Sequence, residues 1–460
     1  MNPGPRSCAG GKHIATTATE PRPIRIGARR VSAAFGQLYA LIQPGGTSER
    51  ALFVQRVAGT FVVRVVLVAI GFLTSIATAR LLGPSGRGIY GAAVVLVTLA
   101  SQFGNLGMHV SNTYFVSGRR SLLPTLISNS LLVSLVGGGG ISLLVLLLFK
   151  LWPAWAPVQG AVLDLALLLI PVTLGVLLLQ NLLLGIQEVK WYNVTDITGK
   201  GLFLLSCGIF TIALHHWDPE YVMVVALASA LATFLMAGAR LMAITGRLPR
   251  PDFDLIRLQA GYGLKSYVIC LAGYVVLKSD VLIVKQMAGA AAAGYYSLAS
   301  SMTDYVYMFP TVVGMMLFPA LSATASPLQR WNRAKKTMLG IIGVMSLLSL
   351  SAAIIARPVI ALVYGRDFLP ALSAFLVLCL AIVFYGANTV ISIYFSSSGL
   401  PWFSVGIWPA AAALNIGLNL YAIRKWGIVG AAISSLLTYS ALFLAQYSHA
   451  RRTVGREQYA

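Results

Sequence analysis

The chain has 460 residues, of which 57% are hydrophobic and only 10% are charged, and its formal net charge is +21. Soluble domains carry roughly 25% charged residues, so this composition excludes an ordinary water-soluble fold and indicates that a lipid bilayer surrounds most of the chain. In a soluble protein the positive charge would suggest nucleic-acid binding. In a membrane protein the concentration of Lys and Arg in cytoplasmic segments explains it better.

The chain begins with a polar segment and continues as a series of apolar ones. Residues 1–55 are rich in Pro, Gly, Arg, Ser and Thr and are predicted to form a disordered, basic cytoplasmic tail. The rest predicts an all-α integral membrane protein of about twelve transmembrane helices in two six-helix lobes. The predicted spans are 57–79, 89–116, 122–149, 161–185, 191–214, 220–243, 264–287, 293–322, 338–363, 370–396, 402–423 and 428–449.

These spans divide into an N-terminal lobe, 56–245, and a C-terminal lobe, 264–450, with a cytoplasmic linker, 246–263, between them and a cytoplasmic tail, 451–460, at the end. If the N-terminus is cytoplasmic, 23 of the 34 Lys and Arg residues lie in the tails and inner loops, eight lie in outer loops and three lie inside spans. This asymmetry predicts that both termini are cytoplasmic and supports an even number of helices.

The two halves resemble each other. Arg80-Leu-Leu-Gly83 and Gly88-Ile-Tyr90 follow the first span, and Lys285-Gln-Met287 and Gly294-Tyr-Tyr296 follow the seventh span at an offset of 205 to 206 residues. An even number of helices per repeat gives both copies the same orientation. Such repeats are related by an axis along the membrane normal and enclose a cavity between the lobes.

The first span carries a narrow polar stripe. Thr60, Arg64, Gly71, Ser75 and Thr78 lie within about 40° of one line on a helical wheel. An ionisable residue inside a span is a functional candidate, because burial in lipid costs at least ~2.5 kcal/mol. The stripe therefore predicts a cavity lining, with the alternative that its small residues form a helix-packing face and Arg64 extends to the membrane surface.

The same reasoning selects residues of the fifth, seventh and eighth spans. Lys200 is predicted to line the cavity or to extend to the surface. Tyr267, Tyr274 and Lys278 share one face of the seventh span, whereas Asp280 lies about 200° from Lys278, so a regular helix cannot direct both charges into one lumen. Asp304 either neutralises a Lys of the seventh span or binds a coupling cation.

Three cations against two acids inside the spans favour an anionic substrate. Ammonium and guanidinium groups pair with phosphate oxygens in a low-dielectric site, and Arg64, Lys200 and Lys278 would offer a phosphate successive binding positions. No Walker A, HExxH or GxSxG motif occurs, and we expect no catalytic residue, no resident metal and no cofactor. The predicted class is a transporter.

The chain resembles the polysaccharide and O-antigen flippases of the multidrug/oligosaccharidyl-lipid/polysaccharide exporter superfamily. The likeness extends from about 56 to 450 and departs mildly at Lys278, where the family more often has Arg. The segments that carry it are Ala79–Tyr90, Lys278–Asp280, Gly294–Ala299, Phe318–Ser322, Tyr364–Ala371, Asn415–Asn419 and Gly427–Ala432.

The resemblance implies two lobes in a V and alternating access that moves a polyprenyl-diphosphate-linked oligosaccharide from the inner to the outer leaflet. The product would be a surface polysaccharide such as O-antigen, capsule or exopolysaccharide. The resemblance also implies coupling to H⁺, to Na⁺ or to the membrane potential, a location in the cell inner membrane, and other polysaccharide-assembly membrane proteins as partners. Three alternatives remain: a multidrug or cation antiporter, a peptidoglycan-precursor flippase, and a membrane polymerase or glycosyltransferase.

Overall fold

A computed structural model describes the backbone of residues 47–214 and 218–459. Residues 1–54 form one unit and residues 55–460 form a second, and the fold considered below is that of the second unit. Eleven α-helices make up nearly all of the described chain. They are α1 Thr47–Asn105, α2 Met108–Gly118, α3 Leu123–Leu132, α4 Gly138–Leu151, α5 Ala161–Gly185, α6 Val189–Leu214, α7 Pro219–Thr245, α8 Phe253–Ser322, α9 Pro327–Val359, α10 Ala371–Ser397 and α11 Trp402–Tyr459.

The predicted disordered tail lies largely outside the described residues, but its last part is helical, because α1 begins at Thr47. The disordered assignment is therefore wrong for residues 47–55. The segment Thr-Ser-Glu-Arg-Ala-Leu combines residue types that favour a helix start with good helix formers, and the apolar span that follows allows the helix to propagate backwards from the bilayer.

Three of the long helices contain a glycine break, so each crosses the membrane twice. The breaks are Gly83 (φ 62°), Gly289 (φ 89°) and Gly427 (φ 55°), all in the left-handed region that only glycine adopts without strain. They divide α1 into α1a (47–82) and α1b (84–105), α8 into α8a (253–288) and α8b (290–322), and α11 into α11a (402–426) and α11b (428–459).

With these breaks, the described residues make twelve crossings, as predicted. α2 continues the crossing of α1b, and a π-helical turn at Val133–Gly137 joins α3 to α4 as one crossing. Eight continuous helices of the described chain are long and apolar enough to span a membrane. Exposed leucines and isoleucines cover the outside of the bundle, for example Leu147, Ile354 and Leu362, as lipid contact requires. The protein is a multi-pass membrane protein.

Buried apolar clusters join helices within each half and between the halves. One cluster packs Ala166 and Ile170 of α5 against Ala93 of α1b, and another packs Val276 of α8a against Val390 of α10. A third joins the halves directly, with Val95 of α1b among residues of α8, α10 and α11. The two halves therefore meet along α1b and α8.

A reciprocal glycine contact brings α1b and α8b together beside their glycine breaks. A Cβ on Gly88 would lie 1.8 Å from the carbonyl oxygen of Ala290, and a Cβ on Gly294 would lie 1.9 Å from the carbonyl oxygen of Pro84. Gly88 and Gly294, like Pro84 and Ala290, are 206 residues apart (294 − 88 and 290 − 84), as are the breaks Gly83 and Gly289. The offset matches the predicted repeat. The contact is therefore the place where equivalent residues of the two repeats meet. We call this end of the bundle the break end.

We expect Gly88→Ala to destabilise the protein, because its methyl group overlaps the Ala290 carbonyl and the two helices must separate. Overpacking of this kind costs ~1–3 kcal/mol. Unfolding of the purified protein in detergent, followed by circular dichroism, measures the change. Gly71→Ala in α1a is the matched control: its Cβ meets open space, so it should leave the stability unchanged or raise it slightly. Equal stability of the two variants would contradict the close contact.

Candidate functional site

The predicted polar stripe of the first span is only partly described. The side chains of Thr60 and Arg64 lie outside the described residues. The two other polar members, Ser75 and Thr78, are buried and contact Arg87, which follows the glycine break. Arg87 donates from Nη1 to the Ser75 carbonyl oxygen (2.6 Å) and to Thr78 Oγ1 (3.1 Å), and from Nη2 to Ser75 Oγ (2.9 Å).

The sequence analysis missed Arg87, because the predicted spans end at 79 and resume at 89 and so assign Arg87 to an outer loop. Its side chain is only 5% exposed, its Nε has no hydrogen-bond partner among the described residues, and none of their ion pairs involves it. The chain reverses direction so tightly at Gly83 that the side chain of Arg87 reaches Ser75 and Thr78 of α1a. Ser75 and Thr78 are thus ligands of a buried guanidinium in this structure, and they do not form an open cavity wall as predicted. The Gly-Pro-Ser-Gly sequence ahead of Arg87 was the available signal.

Lys200 is paired on its own helix. Its Nζ lies 3.0 Å from Oδ1 of Asp196, one turn earlier in α6, and its side chain is half exposed. Asp196 was not among the buried ionisable residues selected from the sequence, although it lies inside the fifth predicted span. An exposed pair of this spacing contributes little to stability, so its main effect is to compensate the charge of Lys200 locally.

Lys278 and Asp304 form an ion pair that joins the two arms of α8. The Nζ of Lys278 lies 2.6 Å from Oδ2 of Asp304, and the two side chains are 22% and 38% exposed. The pair is therefore partly exposed at the surface of the protein and partly packed against neighbouring side chains. In this structure Asp304 neutralises a lysine of the seventh span, which is one of the two roles considered for it.

Asp280 points away from Lys278 and into the protein. It is 1% exposed, α8a is helical around it, and the two charges therefore occupy different faces, as the helical wheel requires. Its carboxylate accepts hydrogen bonds from Tyr296 (2.7 Å), Asn419 Nδ2 (2.7 Å) and Ser435 Oγ (2.5 Å), which come from α8b, α11a and α11b. All three donors are neutral. A carboxylate buried without a cation or such donors would cost several kcal/mol.

The surroundings of Asp280 contain a further unused oxygen atom. Asn419 Oδ1 is buried and has no hydrogen-bond partner among the described residues, and the Oδ1 of Asn415 accepts only from Asn419. The i,i+4 spacing of Asn415 and Asn419 in an apolar span was a signal that could have selected them. Carboxylate, amide and hydroxyl oxygens are the ligands that hard cations prefer.

The two predicted tyrosines of α8a lie on the same face as Lys278. Tyr274 is 37% exposed, and the hydroxyl of Tyr267 donates to the carbonyl oxygen of Phe103 in α1b (3.0 Å). The face therefore lies where the two halves meet. Among the described residues no group of three or more His, Cys, Asp or Glu side chains is placed to hold a metal ion.

Comparison with known proteins identifies related sequences. A family model described as polysaccharide biosynthesis protein matches residues 77–373. A probable low-salt glycan biosynthesis flippase of Haloferax volcanii is 23% identical over 55% of this chain, and an uncharacterized membrane protein of Methanocaldococcus jannaschii is 26% identical over 34% of it. The aligned part spans about half the length of the first relative (51%) and about a third of the second (31%).

Solved structures share the fold. The inward-facing conformation of a multidrug resistance MATE family transporter of the MOP superfamily superimposes with a TM-score of 0.65 at 17% identity, covering 86% of this chain and 99% of that one. The lipid II flippase MurJ in an inward closed conformation gives a TM-score of 0.66 at 15% identity, covering 85% and 86%. At such identities the likeness establishes the fold, that of the two-lobe exporters predicted from the sequence.

We expect the pair of Lys278 and Asp304 to be energetically coupled. In a double-mutant cycle of Lys278→Met and Asp304→Asn, each single variant leaves one charge without its partner, so the double variant should be less destabilised than the sum of the two. Because both side chains are partly exposed, the coupling should be on the order of 1 kcal/mol. Unfolding in detergent measures it. Strict additivity would mean that the ion pair contributes nothing.

Proposed function

Because the chain belongs to the polysaccharide biosynthesis protein family, we propose that it is a flippase that moves a polyprenyl-diphosphate-linked oligosaccharide from the inner to the outer leaflet by alternating access. One observation carries the proposal: a member of a polysaccharide-biosynthesis family has the fold of an exporter. Such a chain contributes to biosynthesis by moving an intermediate. The product would be a surface polysaccharide such as O-antigen, capsule or exopolysaccharide.

The diphosphate is the part of the substrate that most needs protein ligands, because it is doubly charged and must cross a medium of low dielectric constant. Lys278 is its first proposed ligand, since it shares the face of α8a that carries Tyr267 and Tyr274. This face lies where the two halves meet. Binding would require Lys278 to exchange the Asp304 carboxylate for a phosphate oxygen, and the two partners are chemically similar acceptors. Arg64 and Lys200 remain proposed positions on the same route, and Arg87 is added at the break end.

The sugar and the lipid have different requirements. The exposed ring of Tyr274 beside Lys278 offers an apolar face with a polar edge, which suits the mixed surface of a sugar. The prenyl chain would remain in the lipid between helices, where no polar ligand is needed. This arrangement separates charge, sugar and hydrocarbon into three environments.

Asp280 is the proposed coupling site, for H⁺ or Na⁺. Its three neutral donors leave the negative charge uncompensated by any cation of the described residues, and the unused Oδ1 of Asn419 lies in the same cluster. A proton would neutralise the carboxylate directly, and Na⁺ would find oxygen ligands there. Because α8a, α8b and α11 all contribute, occupation of the site would affect how these helices pack.

The placement of Asp280 and Asp304 argues against a multidrug exporter. A site for cationic drugs needs accessible acids, whereas Asp280 is buried and Asp304 is paired. A peptidoglycan-precursor flippase shares the diphosphate-prenyl chemistry and is distinguished by the sugar alone. We propose an inner-membrane location, with both termini cytoplasmic as the positive-residue asymmetry indicates. Membrane proteins of polysaccharide assembly are the proposed partners.

The function is tested with purified protein in liposomes that contain a fluorescent polyprenyl-diphosphate oligosaccharide. We expect flipping, measured by access of a glycosidase added outside, and we expect Lys278→Met to weaken it about 10- to 100-fold, because a charge-assisted hydrogen bond contributes about 1.5–3 kcal/mol. Lys336→Met, an exposed lysine of α9, is the control. No flipping of this lipid by the wild type, or flipping of lipid II alone, would overturn the proposed substrate.

Asp280→Asn should uncouple transport from the ion gradient. The amide keeps the shape and much of the hydrogen bonding but has no charge to titrate or to bind Na⁺. An imposed H⁺ or Na⁺ gradient should accelerate flipping by the wild type and not by Asp280→Asn, while equilibration without a gradient continues. Asp254→Asn, at an exposed position of α8, is the control. A full gradient response in Asp280→Asn would exclude this carboxylate as the coupling group.

A further inference from the structure

Arg87 is a buried cation that the described residues compensate with neutral groups alone. A guanidinium has five N–H donors; those of Arg87 reach two oxygens of Ser75 and one of Thr78, and its Nε–H has no partner among the described residues. Three tyrosines act on it electrostatically: Tyr90, Tyr305 and Tyr364. Tyrosine is neutral at physiological pH. Hydrogen bonds to neutral oxygens satisfy donors but supply no negative charge, so Arg87 retains a need for an anion.

Two of these tyrosines come from the second half of the chain. Tyr364 ends the π-helical turn that follows α9, is 2% exposed, and has a hydroxyl without a hydrogen-bond partner among the described residues. Tyr305 belongs to α8b. Phe72 of α1a packs edge-on against both rings, with centroids 6.2 Å from Tyr364 and 5.6 Å from Tyr305. Arg87 therefore lies between the halves, with its acceptors on the first half and tyrosines of the second half beside it.

This burial depends on the break end being closed. The three oxygens that accept from Arg87 belong to α1a, which is joined to α1b by the glycine reversal, so they stay with Arg87. Tyr305 and Tyr364 belong to the half that meets α1b at the Gly88–Gly294 crossing. Alternating access requires the outer end to open, and the break end is the outer end in the proposed topology. Opening would take the tyrosines away and expose the guanidinium to water.

The neighbouring Arg80 has the opposite environment at the same end. It is exposed, and it donates to the carbonyl oxygens of Leu362 and Val363 across the halves. Water hydrates its charge while the break end is closed. At Arg87 neither water nor a described carboxylate does so. A charge buried in this way disfavours the closed form relative to a neutral side chain of similar size.

We propose that Arg87 is an anion site that is concealed while the break end is closed and binds the diphosphate of the substrate when the break end is open. The inference rests on the proposed flippase function and specifies how its outermost phosphate position works. The unpartnered Nε–H offers a phosphate oxygen a donor without displacing Ser75 or Thr78. Guanidinium pairs with phosphate through strong, charge-assisted hydrogen bonds.

Such a site couples the anion to the gate. A ligand that binds only the open form shifts the population towards that form by its differential affinity. The diphosphate at Arg87 would therefore hold the break end open while the substrate is present. Closure would return the tyrosines to the side of Arg87 after the diphosphate has left, so the outer end would close without its cargo.

The first test measures the gate without the lipid substrate. In a protein whose four cysteines are replaced by alanine, spin labels are attached to Ser85→Cys and Ala288→Cys, exposed positions on opposite halves at the break end. In nanodiscs, inorganic pyrophosphate should raise the population of a longer distance by about threefold or more. Arg87→Gln should abolish this response and lower that population without pyrophosphate. Arg424→Gln, an exposed arginine beside the Gly427 break, is the control and should respond like the parent protein.

No response of the parent protein to pyrophosphate, or an equal response of Arg87→Gln, would overturn the proposal. Arg87→Lys keeps the charge with fewer donors and should respond at roughly tenfold higher pyrophosphate. Circular dichroism checks that each variant is folded. A folded Arg87→Lys that responds at no concentration would assign Arg87 a structural role and would also overturn the anion site.

Flipping in liposomes connects the site with transport. Arg87→Gln should slow the flipping of the polyprenyl-diphosphate oligosaccharide by about tenfold or more, whereas Arg424→Gln should stay within about twofold of the wild type. Unchanged flipping by Arg87→Gln would overturn the role of the site in transport. If the wild type does not flip this lipid but pyrophosphate still opens the break end through Arg87, the proposed function fails and the anion site stands.

Discussion

Inside a bilayer no water is available to satisfy a polar group, and this constraint explains where every described buried charge of the protein is placed. Lys278 is matched by Asp304, Asp280 by three neutral donors, and Arg87 by three oxygens of the preceding helix. The three charges are compensated by different kinds of partner, and the kind of partner determines what each charged group can still bind. An ion pair can exchange partners with a phosphate, whereas a carboxylate surrounded by neutral donors retains a need for a cation or a proton.

The same constraint shapes the backbone. Between crossings the chain reverses with a single positive-φ glycine at Gly83, Gly289 and Gly427 and resumes a helix at once, so few peptide groups lack a helical partner. Two of these reversals are 206 residues apart, and glycines five residues beyond them touch where the two repeats meet. Duplication and tight reversal therefore create a close contact between the halves that bulky side chains would prevent.

Most of the fold follows from patterns that act locally. Apolar length gives the crossings, the offset of the glycine motifs gives the repeat, and charge inside apolar spans selects Lys278, Asp280 and Asp304. Lys278 and Asp280 lie on different faces of α8a, as the helical wheel predicts, because α8a is a regular helix around them. Arg87 was missed because it lies between two predicted spans, whereas Asp196 lies inside the fifth predicted span and was not selected there. Arg87 was taken for a loop residue because a glycine reversal is shorter than any loop that composition suggests.

The sequence by itself determined that the chain is a membrane protein, where its twelve crossings lie and that Lys278, Asp280 and Asp304 must be compensated, because hydropathy, repeat spacing and helical periodicity are properties of short segments. The tertiary structure alone decided how each charge is compensated. It paired Lys278 with Asp304, gave Asp280 its donors from α8b and α11, and turned Ser75 and Thr78 towards Arg87. It also placed Gly107 against Gly263 and Asn112 against Gln259. These partners are distant in sequence or lie across a chain reversal, and only the packing of whole helices brings their atoms within hydrogen-bonding distance.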